Sequence, residues 1–172
     1  MNLTTRSLTR AALIAAIYVV CTFALQAISF GPVQFRVSEA LTLLPVFFAE
    51  AVPALGVGCL LGNLLAGAVW YDVVFGALAT LMAALLTRRL RKNIYLAALM
   101  PTLFNGLIVG PIVYFEFLLA PGQSVDLLAL ATSMGTVAMG EAAVCYVLGV
   151  PLVMLGKKVF PRLDGDSPEK RA

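Results

Sequence analysis

Few side chains in this chain can do chemistry, and most of those that can stand inside long apolar runs. Gln34, Arg36, Ser38 and Glu39 share one short stretch. Asn63 and Asp72 follow in the next two runs, Asn105 and Glu116 in a later one, and Glu141 sits between Gly140 and Ala142. A charge in hydrocarbon costs on the order of 2.5–3.5 kcal/mol by insertion scales, so such residues should be few and employed. Glu39, Asp72, Glu116 and Glu141 face a single cation, Arg36. A cavity lined by them favours a ligand that donates hydrogen bonds or carries positive charge. Trp70, Tyr71, Tyr114 and Phe115 are candidates for its aromatic walls.

Each residue also has a plainer reading. Glu39 can pair with Arg36, three positions earlier on a helix. Asn63 and Asn105 can be hydrogen-bonding glue between helices. Trp70 and Tyr71 fall at the depth of an interfacial aromatic belt, and Glu50 reads as a solvated helix terminus. Glu141, deep in an apolar run, is the residue for which function outweighs structure.

Other chemistries lack their residues. There is no histidine, the commonest general base and metal ligand. Cys21, Cys59 and Cys145 lie in apolar runs without metal-ligand spacing and read as small core residues. No GxxxxGK[ST] loop is present for ATP hydrolysis, and no GxSxG, HExxH or CxxC pattern supports a catalytic centre. The expectation is a protein that is not an enzyme, with no cofactor, no metal and no nucleic-acid partner. No repeat of its halves is clear enough to indicate an inverted-repeat carrier.

The elements that must position these residues follow from composition. With 61% hydrophobic and 12% charged residues, against roughly 25% charged in soluble domains, the solvent for most of the chain is lipid. The fold expected is all-α: one domain, residues 1–172, forming an integral membrane bundle of six transmembrane helices. Proline, glycine and polar punctuation place them near 9–29, 37–49, 55–69, 74–86, 94–118 and 125–155, with Pro45 kinking the second, Pro53 opening the third and Tyr71-Asp72 breaking the pattern before the fourth. Arg6 and Arg10 precede an apolar run that is better read as a retained first span than as a cleaved signal. Six spans put Arg6 and Arg10, the cluster Arg88, Arg89, Arg91 and Lys92, and the group Lys157, Lys158 and Arg162 all on one side. By the positive-inside rule both termini are cytoplasmic, with 162–172 a short tail. Glu39 and Asp72 then lie near the outer face, Asn105 and Glu141 nearer the middle. Ala11, Ala12, Ala15 and Ala16 put small residues at spacing four on the first span, a candidate docking surface for a second membrane protein.

The run Gly31-Pro32-Val33-Gln34-Phe35-Arg36-Val37-Ser38-Glu39-Ala40-Leu41-Thr42-Leu43-Leu44-Pro45 resembles the hallmark segment of the QueT family of queuosine-precursor transporters. These are substrate-binding S components of energy-coupling factor (ECF) transporters. Pro53, the stretch from Gly58 through Asn63 to Leu64, and the stretch from Asp72 to Leu81 add to the likeness, which spans nearly the whole chain. The resemblance implies a cell-membrane subunit of six helices that captures a small molecule from outside. It implies further that a membrane coupling subunit and two cytoplasmic ATPases supply the energy. The docking motif on the first helix is then matched by Ala12 and Ala16, with Ala11 and Ala15 the alternative register.

The substrate class implied is a 7-deazaguanine such as 7-aminomethyl-7-deazaguanine. Its guanine edge suits a bidentate carboxylate, Glu39 or Glu141, with Asn105 or Gln34 on the carbonyl side. Asp72 would meet the amine, Trp70 or Tyr71 would stack on the base, and Arg36 and Asn63 complete the expected binding set. The rivals are a stand-alone proton-coupled carrier using Glu141 or Glu116, a membrane enzyme acting on lipid, and a scaffold subunit without a ligand.

Overall fold

The computed structural model describes residues 4–31 and 34–159. The tail expected at 162–172, with Arg162, lies outside the described residues. Among those described, the secondary structure is entirely helical.

We label the principal elements α1 (Thr5–Ala24), α2 (Val37–Val46), α3 (Ala51–Leu65), α4 (Trp70–Arg89), α5 (Ile94–Leu118) and α6 (Leu127–Val159). Helices α1, α4, α5 and α6 are 20, 20, 25 and 33 residues long and apolar enough to cross a membrane, whereas α2 and α3 have 10 and 15 residues. The expected order of six helical segments is therefore present, with four of them of membrane-crossing length.

Local chemistry explains where the helices begin. Thr4 and Ser7 form a reciprocal capping box at α1. Asn93 caps α5 by accepting from the amides of Tyr95 and Leu96, and Asp126 caps α6 by accepting from those of Leu128 and Ala129. The pattern break expected at Tyr71-Asp72 lies earlier. Gly67, with φ of 73°, turns the chain, and α4 already runs from Trp70, so Asp72 occupies its first turn. An acid there faces the positive end of the helix dipole. Pro101 and Pro111 do not break α5. The helix absorbs its irregularities in π-helical turns at Asn105–Val109 and Tyr114–Leu118.

Helix α2 is the unusual element. It is a 3₁₀ helix throughout, contains Pro45, and buries Ser38, Glu39, Ala40, Thr42, Leu43, Pro45 and Val46. Such helices seldom exceed three or four residues, because side chains at i and i+3 eclipse and the hydrogen bonds align poorly. Packing sustains this one: α2 touches every other helix of the bundle. Leu43 and Val46 pack with Ala97 and Ala98 of α5 and with Cys145, Val150 and Val153 of α6. A second core joins α1, α3 and α4 through Ile14, Tyr18, Leu55, Cys59 and Ala77, and a third joins α4, α5 and α6 through Ala79, Val109, Val113 and Val137.

Outward, each of the membrane-length helices presents large apolar side chains, including Leu13, Val20, Leu78, Leu107 and Leu128. Around a bundle of this length and composition they face lipid, and the chain is a multi-pass membrane protein. The basic segments gather at one end. Arg10 pairs with Glu50 at 2.9 Å and lies 4.6 Å above the Phe48 ring, while Arg88 donates to the carbonyls of Pro45 and Val46 at 2.9 and 3.1 Å. Gly156, next to Lys157 and Lys158, lies against Phe47. Glu50, expected to be a solvated terminus, is instead mostly covered because Arg10 claims it.

Candidate functional site

The polar cluster begins where α2 starts. Gln34, Arg36, Ser38 and Glu39 are all buried, and their neighbours come from other helices. Arg36 does not pair with Glu39 along the helix. It reaches across to α4, where its Nη2 lies 2.7 Å from Asp72 Oδ2, and its guanidinium sits 4.9 Å from the centre of the Phe30 ring. Asn63 of α3 steadies the same corner by donating to the Asp72 carbonyl at 3.1 Å. Gly76, one turn along α4, keeps the corner open: a Cβ there would lie 2.8 Å from Asp72 Oδ1 and 3.0 Å from Asn63 Nδ2.

Glu39 is held from two other sides. Its Oε1 accepts from the Tyr18 hydroxyl of α1 and from Thr80 Oγ1 of α4, the latter at 2.9 Å. Beside it, Thr22 donates to Ser38 Oγ at 2.8 Å. Helices α5 and α6 close the cluster with Asn105 and Glu141, each 1% exposed. Asn105 faces both Glu39 and Glu141, yet neither its amide nitrogen nor its oxygen reaches hydrogen-bonding geometry with any described residue. Asn105 opens a π-helical turn of α5, and Glu141 lies one turn before another, Cys145–Gly149 in α6. Such turns re-aim side chains and recur at functional sites.

Among the described residues, both oxygens of Glu141, Glu39 Oε2, Asp72 Oδ1, Asn63 Oδ1, Gln34 Oε1, and Arg36 Nε and Nη1 are buried without a protein hydrogen-bond partner. A buried polar group left unpaired costs about 1–3 kcal/mol, and more when charged. The three buried carboxylates, Glu39, Asp72 and Glu141, share one guanidinium, and that is already engaged by Asp72. The cluster therefore suits a guest that brings several donors or a positive charge.

Above it, at the end of the bundle away from the basic residues, a cavity of about 190 Å³ is lined by Gln26, Phe30, Gln34, Gly67, Asp72 and Glu116 among others. This is smaller than the roughly 300–1,000 Å³ of most small-molecule pockets. Glu39 and Glu141 do not line it. Gln34 seals the deeper cluster, its backbone carbonyl lying so close to α6 that only a glycine, Gly140, fits beneath it. The arrangement is a vestibule over a buried polar cluster.

The structure thus gathers Gln34, Arg36, Glu39, Asn63, Asp72, Asn105 and Glu141, and places Glu116 at the rim. It does not bring in Trp70, which is 73% exposed and stacks edge-on against Tyr71. Tyr71 lies with Phe75, Leu107 and Phe115 along an apolar groove on the outside of the bundle. Tyr114 is buried, but its hydroxyl accepts from the Asp126 amide at 2.8 Å and so secures the start of α6. Of the expected aromatic wall, Trp70, Tyr71 and Phe115 lie toward the lipid side, because the register of α4 turns Trp70 and Tyr71 away while Asp72 points inward. Among the described residues, Phe30 and Tyr18 are aromatic residues that touch the cluster.

Tyr18, Thr22 and Thr80 were not legible as site residues. The available signal was spacing: with Ile14, Tyr18 and Thr22 are the buried positions of α1, every fourth residue on one face. On the same helix, Ala11 and Ala15 pack inward, with Ala15 against Gly58 of α3, whereas Ala12 and Ala16 are exposed.

A family model described as QueT transporter matches residues 8–158. A relative from Lactococcus lactis subsp. cremoris (strain MG1363), named queuosine precursor transporter QueT, is 31% identical over 162 residues, covering 86% of this chain and 90% of the relative. No solved structure matches.

Proposed function

Because the chain belongs to the QueT transporter family, we propose that it is the substrate-binding membrane subunit of an ATP-driven ECF-type importer for a queuosine precursor such as 7-aminomethyl-7-deazaguanine. The observation that carries this reading is Glu141, buried in the bundle with both oxygens unpaired beside an equally unpaired Asn105. In this reading Glu141 accepts two adjacent N–H donors of the guanine edge, and the Asn105 amide donates to the neighbouring carbonyl. Glu39 keeps one oxygen tied to Tyr18 and Thr80 and offers the other, Oε2, to the ligand's ammonium. Arg36 and Asp72 act at the entrance, between the vestibule and the buried cluster.

With the basic end of the bundle in the cytosol, the vestibule faces outward and capture precedes any encounter with the ATPases. The exposed pair Ala12 and Ala16, not the packed pair Ala11 and Ala15, is the register available to a coupling subunit. Energy then comes from that subunit's two cytoplasmic ATPases.

The test is calorimetric titration of the purified chain in detergent with 7-aminomethyl-7-deazaguanine. Glu141→Gln replaces one acceptor of the bidentate pair by a donor and removes the charge, a loss of about 100-fold in affinity at about 1.5–3 kcal/mol per charge-assisted hydrogen bond. Unchanged affinity in that variant would remove the arrangement. Uptake by vesicles that lack any ATPase, driven by a pH gradient, would instead make the chain a stand-alone carrier with Glu141 or Glu116 as its proton site.

A further inference from the structure

At the basic end of the bundle, Met82, Leu85 and Leu86 of α4 and Phe104 of α5 line a groove of about 270 Å³ that also includes Arg89. Neighbouring arginines diverge there. Arg88 turns inward to the carbonyls of Pro45 and Val46. Arg89 is exposed and makes no hydrogen bond or ion pair with any described residue. Arg91 and Lys92, both exposed, follow in the turn toward α5.

We infer that this groove binds an anionic phospholipid, one acyl chain lying along Met82, Leu85, Leu86 and Phe104 and the headgroup phosphate resting on Arg89. Lipid tails are as apolar as leucine, so filling the groove gives no selectivity by itself. Selectivity comes from the head. Arg89 offers a planar fork of donors that fits a phosphate in a bidentate manner, and Arg91 and Lys92 add attraction for a negative headgroup at the level where apolar side chains give way to charge. The occupant is a lipid because the groove lies on the lipid-facing surface and carries cations at one end, which matches a molecule with a tail and an anionic head. The site is also separate from the exposed Ala12 and Ala16, since α3 lies between α1 and α4.

Native mass spectrometry of the delipidated full chain, titrated with phosphatidylglycerol or phosphatidylcholine, reads the site directly. Phosphatidylglycerol should bind more tightly. Arg89→Gln should weaken it about five-fold, the value of one basic residue near an anionic headgroup, while Arg89→Lys retains most of the binding. Leu85→Trp, which fills the groove and leaves every charge in place, should weaken it as well. Arg6→Gln removes an exposed cation from the same end without touching the groove, and should change affinity by less than about two-fold. Equal binding of the two lipids, equal losses in Arg89→Gln and Arg6→Gln, or no effect of Leu85→Trp would each overturn the site. So would competition by free glycerol phosphate at the lipid's own affinity, which would leave the groove with no part in binding.

Discussion

Removing Asp72 isolates what holds the entrance of the site together. Arg36 and Asp72 are 1% and 4% exposed, and their contact at 2.7 Å is a buried ion pair. Asp72→Ala leaves a guanidinium that cannot shed its proton, with Nε and Nη1 already unpaired, among Phe30, Asn63 and Gly76. Breaking one side of a buried pair costs about 3–5 kcal/mol. At roughly 2–4 °C per kcal/mol for a chain of this size, the melting temperature should fall by about 10 °C. Arg36→Met should cost less, because a lone carboxyl can be neutralised by a proton whereas a guanidinium cannot. The double variant Arg36→Met with Asp72→Leu should recover most of the loss, since both charges leave together. The buried free thiols of Cys59 and Cys145 make a convenient reporter, because a thiol-reactive fluorophore labels them as the bundle opens. If Asp72→Ala melts within about 1 °C of the parent, or the double variant is no better than the single, the pair is not the strut described.

The remaining expectations contrast exposed positions with packed ones. Ala12→Trp or Ala16→Trp should abolish uptake by the assembled transporter while ligand binding in detergent survives, because both positions are exposed. Ala15→Trp should unfold the chain, because Ala15 packs on Gly58, where even a Cβ would come within 3.2 Å of the Ala15 carbonyl. Trp70→Ala should leave ligand affinity unchanged, whereas Tyr18→Phe, which takes a hydrogen bond from Glu39, should weaken it several-fold, both read by calorimetry.

The membrane character of this protein, its helical class and the gathering of its basic segments at one end follow from the sequence alone. Hydrocarbon excludes charge and unpaired backbone, so composition and proline spacing leave few alternatives. The list of interior polar residues was legible for the same reason: in an apolar run each one stands out. Partnership was not. Arg36 lies three residues from Glu39 in sequence but pairs with Asp72, because a 3₁₀ helix entered at Arg36 aims that side chain at α4 and leaves Glu39 to Tyr18 and Thr80. Helix rotation was equally hidden. Adjacent residues point about 100° apart on a helix, so Trp70 can face lipid while Asp72 faces the polar cluster, and Ala12 and Ala16 can lie open while Ala11 and Ala15 are packed. Sequence determined which side chains had to be accounted for; only the packing of the other five helical segments around α2 decided which of them meet, because that depends on angles and contacts between residues far apart in the chain.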